Sequence, residues 1–210
     1  MDIKYGSAAG FDGVNQDRIL CGQVSGDMFV AILADGIGGL QHGGLAADIV
    51  VQSIWGTIKG NIASGDIPQV LTAAFCQADF DIAKQSQSMH CKMGAAVTVV
   101  VIKGDSLYCA WQGNVRLYFR ADGKMAQLTE DHIKSSDCNT LLTRCVNGKG
   151  YRRPVPILTK SLQGASSLML CSDGFYQSAK CMAQALQGEL PSAIESHPDD
   201  ASCIIMKIKR

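Results

Sequence analysis

The stretch Phe29-Val30-Ala31-Ile32-Leu33-Ala34-Asp35-Gly36-Ile37-Gly38-Gly39 decides how the rest of the chain is read. An apolar run bounded by turn residues predicts a core strand, here one that delivers a single carboxylate, Asp35, into a glycine-rich turn. A lone Asp at a strand end ordinarily caps a turn. This one is echoed: Leu168-Met169-Leu170-Cys171-Ser172-Asp173-Gly174 repeats the phrase, and Asp199-Asp200 stands just ahead of the apolar run Ile204-Ile205-Met206. Three strand-edge carboxylates raise the question of whether they meet around a metal.

The surrounding pattern is mixed. Asp2 to Ser7, Arg18 to Val24 and Met28 to Ala34 predict strands, the last two joined by a turn at Ser25-Gly26-Asp27. Ala46, Val50, Ile54 and Ile58 then fall four apart, the spacing of one helix face. After a break at 60–65, Asp66 is placed to cap a second helix buried through Val70, Ala74, Ala78 and Ile82. Two β-hairpins are expected over Ala95 to Gln112 and Val115 to Leu128, and the first has a run apolar enough to be covered on both faces. Residues 134–164 are polar, basic and irregular, with at most a turn of helix around Asn139 to Val146. A strand at Leu168 to Ser172, a helix at Ser178 to Gln187 and a strand at Ala201 to Ile208 close the chain. Strands with two inserted helices, without strict βα alternation, predict an antiparallel α+β architecture. With no repeat, low-complexity tract or linker, residues 1–210 are expected to form one domain.

Composition narrows the function. Lys plus Arg equals Asp plus Glu at 19 each, which argues against nucleic-acid or membrane-surface binding driven by bulk charge. No apolar stretch approaches the ~20 residues of a membrane span. The nine cysteines are odd in number, show no CxxC spacing and often sit in apolar runs, as Cys109, Cys171 and Cys203 do. A reduced, intracellular protein is the expectation rather than a disulfide scaffold. With no secretory pattern at Met1 to Gly6, the expected location is cytoplasmic. His42, His90, His132 and His197 form no zinc-binding pattern. Carboxylates on strand ends suit a hard cation such as Mg²⁺ or Mn²⁺ instead.

Five motifs in order then carry a resemblance: Asn15-Gln16-Asp17, Ala34 to Gly39, Leu128-Thr129-Glu130-Asp131-His132, Cys171-Ser172-Asp173-Gly174 and Asp199-Asp200-Ala201-Ser202. Together they resemble the metal-dependent type 2C protein serine/threonine phosphatases (the PPM family), in the manner of a small bacterial member. The resemblance implies a four-layer αββα sandwich, two antiparallel sheets flanked by helix pairs. It implies two Mg²⁺ or Mn²⁺ ions, bridged by Asp35 with the Gly36 carbonyl as a further ligand. Asp173 and Asp199 would complete the first ion's shell, and Asp17 would act close by through water. A metal-activated water would attack a phosphoserine or phosphothreonine phosphorus, so no side-chain nucleophile is required.

Several positions depart from the family pattern. Gly113-Asn114-Val115-Arg116 stands where the family usually has Gly-Asp-Ser-Arg, so a third ion loses its carboxylate at Asn114. Asp12 stands where an Arg commonly holds the substrate phosphate, leaving Arg18 or Arg116 as substitutes. Leu40 and Gly44 replace a His and a Glu, and the flap after His132 is short. The implied function is a phosphoprotein phosphatase, acting as a monomer and opposed to a serine/threonine kinase. The alternative is a catalytically impaired relative that binds phosphoproteins or regulates a kinase; a small-molecule phosphatase on the same fold is the third reading.

Overall fold

The computed structural model describes residues 1–40, 42–61, 65–136, 139–187, 189–190 and 198–208, so His197 and part of the 60–65 helix break lie outside the described residues. Two five-stranded antiparallel sheets make the frame. One contains β2 (Asp17–Ser25), β3 (Met28–Gly36), β4 (Ala95–Lys103), β5 (Ser106–Gln112) and β10 (Ile157–Ser161), in the order β10-β5-β4-β3-β2. The other contains β1 (Asp2–Ala8), β6 (Arg116–Ala121), β7 (Lys124–Gln127), β11 (Ala165–Cys171) and β12 (Ala201–Lys207), in the order β1-β12-β11-β6-β7.

The two central strands of the first sheet explain why the sheets stack. Along β3, Val30, Ile32 and Ala34 face one core while Phe29, Ala31 and Leu33 face another. Its partner β4 divides in the same way, with Val97, Val99 and Val101 on one side and Ala96, Val100 and Ile102 on the other. A strand with no polar face must be covered twice. The outer cover is α1 (Gly43–Gly60) and α2 (Ile67–Ser88), which contribute Val50, Ile54, Leu71, Phe75 and Ile82. The inner cover is the second sheet, through Leu117, Phe119, Leu168, Leu170, Ile204 and Met206. Each such aliphatic side chain, fully withdrawn from water, contributes about 1.5–3 kcal/mol. Two short helices, α3 (Asp173–Gln177) and α4 (Ala179–Leu186), cover the far face of the second sheet through Phe175, Cys181 and Ala185. The layers run helix, sheet, sheet, helix, as the resemblance implies.

The second helix starts where the cap predicts, with Asp66 accepting a hydrogen bond from the Gln69 amide at 3.0 Å. The expected helix over 178–187 is divided: Ser178 ends α3 and caps α4 by accepting from the Cys181 amide. The larger correction is at 134–164. No helical turn forms around 139–146; instead β8 (Ile133–Ser136) and β9 (Asn139–Leu142) make a small hairpin where the short flap is expected, and β10 completes the edge of the first sheet. Edge and hairpin strands carry polar residues on their open side, which removes the apolar signal that marks a buried strand. The eight described cysteines are free thiols, and no helix among the described residues is long and apolar enough to cross a membrane.

Candidate active site

The carboxylates converge where both sheets end at the same edge. Asp17 opens β2 and lies opposite Asp35 near the end of β3. Asp173 opens α3 directly after β11, and Asp199 and Asp200 precede β12, the neighbour of β11. The glycine after Asp35 is required by a close approach: a Cβ on Gly36 would collide with the backbone of Gly43, at the start of α1. Helix and strand therefore meet directly behind Asp35. At Gly174 a side chain would run into the Asp200 backbone, so α3 is pressed against the residues leading into β12.

Asp17 is 4% exposed, and its Oδ2 accepts a 2.8 Å hydrogen bond from the Ser172 hydroxyl while its Oδ1 is buried without a partner. Burial, helped by the charges of Asp200 and Asp173 and opposed by serine hydrogen bonds, pushes its carboxyl up to about 7. Asp35 is half-buried. Desolvation, then the charges of Asp17, Asp173 and Asp199, raise its carboxyl well above the usual range. The Asp173 carboxyl is also raised, by burial first and the Asp199 charge second. Asp199 itself is exposed, and its Oδ1 accepts from the Asp200 amide at 2.9 Å.

Asn114 places its amide nitrogen 3.0 Å from Asp173 Oδ2 and leaves its own Oδ1 buried without a partner. An aspartate here would face Asp173 with like charge. Asn114 instead tethers it through one oxygen, and Asp173 Oδ1 stays buried and unpaired.

These residues fit a hard cation. Buried oxygens without a hydrogen bond are costly and normally rare, yet Asp17 Oδ1, Asp173 Oδ1 and Asn114 Oδ1 are all of this kind. Among the described residues, no three His, Cys, Asp or Glu side chains close to metal-ligand spacing. What marks the site is an all-oxygen donor set with three unsatisfied atoms.

The two arginines proposed for substrate phosphate are committed elsewhere. The Arg18 guanidinium pairs with Asp48 at 2.8 Å and donates to the carbonyls of Asn15 and Asp17. Arg116 makes a fork to Asp131, with contacts of 2.7–3.1 Å, donates to the Tyr118 hydroxyl and lies 3.6 Å above the Tyr176 ring. Both brace the site instead of offering a free fork to it. Asp12 is exposed and caps its own loop by accepting from the Val14 amide.

Sequence reasoning left three supporting residues without a role. Asp200, 8% exposed, accepts from the amides of Gly10 and Gln16, both at 2.7 Å, and so clamps the loop that carries Asn15-Gln16-Asp17. Ser172 holds Asp17 and accepts from the Ser202 amide, stitching the two sheets together at the site. His132 accepts from the Gly113 amide through Nδ1 and stacks on Trp111 at 6.2 Å, while burial and the Arg144 charge lower it to about 4, so it stays neutral. The Asp199-Asp200 doublet was a visible signal for Asp200, and the Cys171-Ser172-Asp173-Gly174 motif for Ser172, but neither shows what the side chain holds.

Comparisons with known proteins identify the family and the fold. A match to the protein phosphatase 2C family spans residues 8–193. The serine/threonine protein phosphatase PstP of Mycobacterium tuberculosis is 26% identical over 185 residues, covering 78% of this chain and 35% of PstP. The chain thus spans about a third of the length of that curated relative. Among solved structures, the phosphatase Stp1 from Staphylococcus aureus superposes with a TM-score of 0.84 at 17% identity, over 100% of this chain and 95% of that one. The catalytic domain of PstP in complex with two manganese ions superposes with a TM-score of 0.78 at 22% identity, over 99% of each chain. At those identities the superpositions establish the fold, whereas the family match covers most of the sequence. The chain belongs to the protein phosphatase 2C family.

Proposed function

We propose that this chain is a metal-dependent phosphatase that hydrolyses phosphoserine and phosphothreonine in proteins, opposing a serine/threonine kinase. The observation that carries the reading is the cluster of unsatisfied oxygens on Asp17, Asp173 and Asn114 around Asp35. The manganese-bound PstP domain, which shares the fold, supports it. Two Mg²⁺ or Mn²⁺ ions would be held by Asp35, the Gly36 carbonyl, Asp173 and Asp199. When bound, such ions supply an acidified water and offset charge on the phosphoryl oxygens.

The chain's own residues do the rest. Ser172 and Asp200 fix Asp17 and its loop, so that an ionised Asp17 is aimed into the site at little cost in side-chain freedom. Asn114 orients Asp173 by holding Oδ2 and leaving Oδ1 available. Arg116, locked by Asp131, supports Tyr176 beside Asp173. Asn114 brings no charge of its own, and a third cation near it would bind weakly.

One observation favours the second reading, an impaired relative that binds phosphoproteins: the Asn114 amide already occupies one oxygen of Asp173. A single assay separates the two. Hydrolysis of a phosphothreonine peptide should be present with Mn²⁺ or Mg²⁺, abolished by chelator and reduced about a thousandfold in Asp35→Ala. Turnover that survives chelation contradicts the metal mechanism. Metal binding without turnover selects the impaired relative.

A further inference from the structure

The part of the chain that the carboxylate centre does not use is its basic segment, residues 144–153. Arg144-Cys145-Val146-Asn147-Gly148-Lys149-Gly150-Tyr151-Arg152-Arg153 packs four cations and no acid into ten positions, in a chain of zero net charge. The segment borders a cleft of about 580 Å³, and none of the residues lining that cleft is acidic.

The cleft has firm walls. On α2, buried Asp79 accepts hydrogen bonds from the amides of Asn147, Gly148 and Gly150, at 2.7–3.2 Å. The Tyr151 hydroxyl donates to the Phe75 carbonyl at 2.9 Å. Arg144 bonds Gln112 Oε1 at 3.0 Å and the Pro154 carbonyl at 2.6 Å, joining the segment to the end of β5. The Asp79 charge is thereby absorbed by three backbone donors. Lys149, Arg152 and Arg153 stay exposed, and among the described residues none of them has a salt-bridge partner. Arg144 is crowded as well, its guanidinium lowered by burial and by the Arg153 charge. Three exposed cations on a backbone held by Asp79 and Tyr151, without a salt-bridge partner among the described residues, give the cleft a positive field that attracts anions.

Its position relates it to the carboxylates. Gly36 pairs with Ala95 across β3 and β4, and Ala95 in turn exchanges backbone hydrogen bonds with Val146. Val146 therefore lies two strand spacings from Gly36, about 10 Å. Its chain neighbours Cys145 and Asn147 line the cleft. An extended peptide rises about 3.3 Å per residue, so a chain whose phosphorylated residue sits at the carboxylates meets the near edge of the cleft about three residues away and extends across it by about five.

We propose that the Lys149, Arg152 and Arg153 cleft binds a second anionic group of the protein substrate, an acidic side chain or another phosphate, three to five residues from the phosphoresidue being hydrolysed. The inference rests on the phosphatase reading above and adds its substrate class: acidic or multiply phosphorylated segments.

The test compares the wild-type chain with the Lys149→Ala/Arg152→Ala/Arg153→Ala variant, with Mn²⁺ at low salt. The substrates are an aryl phosphate and phosphothreonine peptides with alanine, aspartate or a second phosphothreonine at three to five residues on either side. The wild type should show a KM roughly tenfold lower for the anionic peptides than for the neutral one. The variant should lose that advantage while its kcat/KM on the aryl phosphate stays unchanged, and 0.5 M salt should erase it in the wild type as well. Preference for the aspartate peptides or for the doubly phosphorylated ones identifies which anion the cleft takes. Equal KM for acidic and neutral peptides in the wild type overturns the proposal, as does an equal loss on every substrate in the variant. If no peptide is turned over, the phosphatase reading fails while the cleft remains measurable. Fluorescence anisotropy of the labelled aspartate peptide then supports the proposal if the variant binds at least about tenfold more weakly, and overturns it if the two bind alike or neither binds.

Discussion

Two regions flank the same strand ends and are built on opposite plans. The carboxylate centre hangs from regular elements: Asp17 and Asp35 face each other across β2 and β3, and Asp173 follows β11 directly. The basic cleft hangs from irregular backbone, held by one buried carboxylate, Asp79, that accepts three amides. In the first, the strands position charges that the protein leaves unsatisfied. In the second, a charge is fully satisfied so that a loop can present cations. On the two proposals above, chemistry that needs ångström precision would sit on the sheet ends and recognition on the braced loop, in keeping with the usual division between scaffold and loops.

The contrast breaks most sharply at Asp79. In Asp79→Ala three amides lose their acceptor and Asp79's buried position is left empty, which costs about 3 kcal/mol and lowers Tm by about 6–12 °C for a chain of this size. Thermal unfolding checks the number. Aryl phosphate turnover at low temperature should persist while anionic peptides lose their advantage; loss of both together would mean that the two regions are one unit.

Asn114→Asp sharpens the other side. Without cations the new carboxylate faces Asp173, so the variant should melt a few degrees lower in chelator. With Mn²⁺ it should bind the ion about tenfold more tightly than the wild type and turn over faster. A variant that matches the wild type in both conditions would show that position 114 has left the metal-binding surroundings.

The smallest effect is a pH dependence. Asp17, raised to about 7 from an ordinary 3.8, binds a proton more tightly folded than unfolded. Without cations its contribution to stability is therefore full below about pH 3.8 and lost as pH rises through about 7. Cations compete with that proton, so Mn²⁺ should raise Tm more at pH 7.5 than at pH 5.5. An Mn²⁺ increment independent of pH would remove Asp17 and its neighbours from the cation's surroundings.

Much of the first region was legible in the chain. Buried strands such as β3 and β4 are apolar on both faces and announce themselves, and an Asp at the end of such a run is conspicuous. The helices α1 and α2 followed from fourfold spacing and from Asp66 at the cap. The second region was not legible. β9 and β10 are short strands with little apolar signal, and the anchoring of 147–150 by Asp79 joins positions nearly 70 residues apart, beyond any local pattern. Arg18 and Arg116 show the same limit: as charges they suit a phosphate, but their partners Asp48 and Asp131 are fixed only by the tertiary fold.

The central claim, that strand-borne carboxylates at one edge of the sandwich make a cation site, is tested most directly by titrating Mn²⁺ into the wild type and Asp35→Asn by isothermal calorimetry at pH 7.5. Two ions per wild-type chain and no detectable binding at the same concentrations in Asp35→Asn are predicted. Equal stoichiometry and affinity in the two proteins would contradict the account.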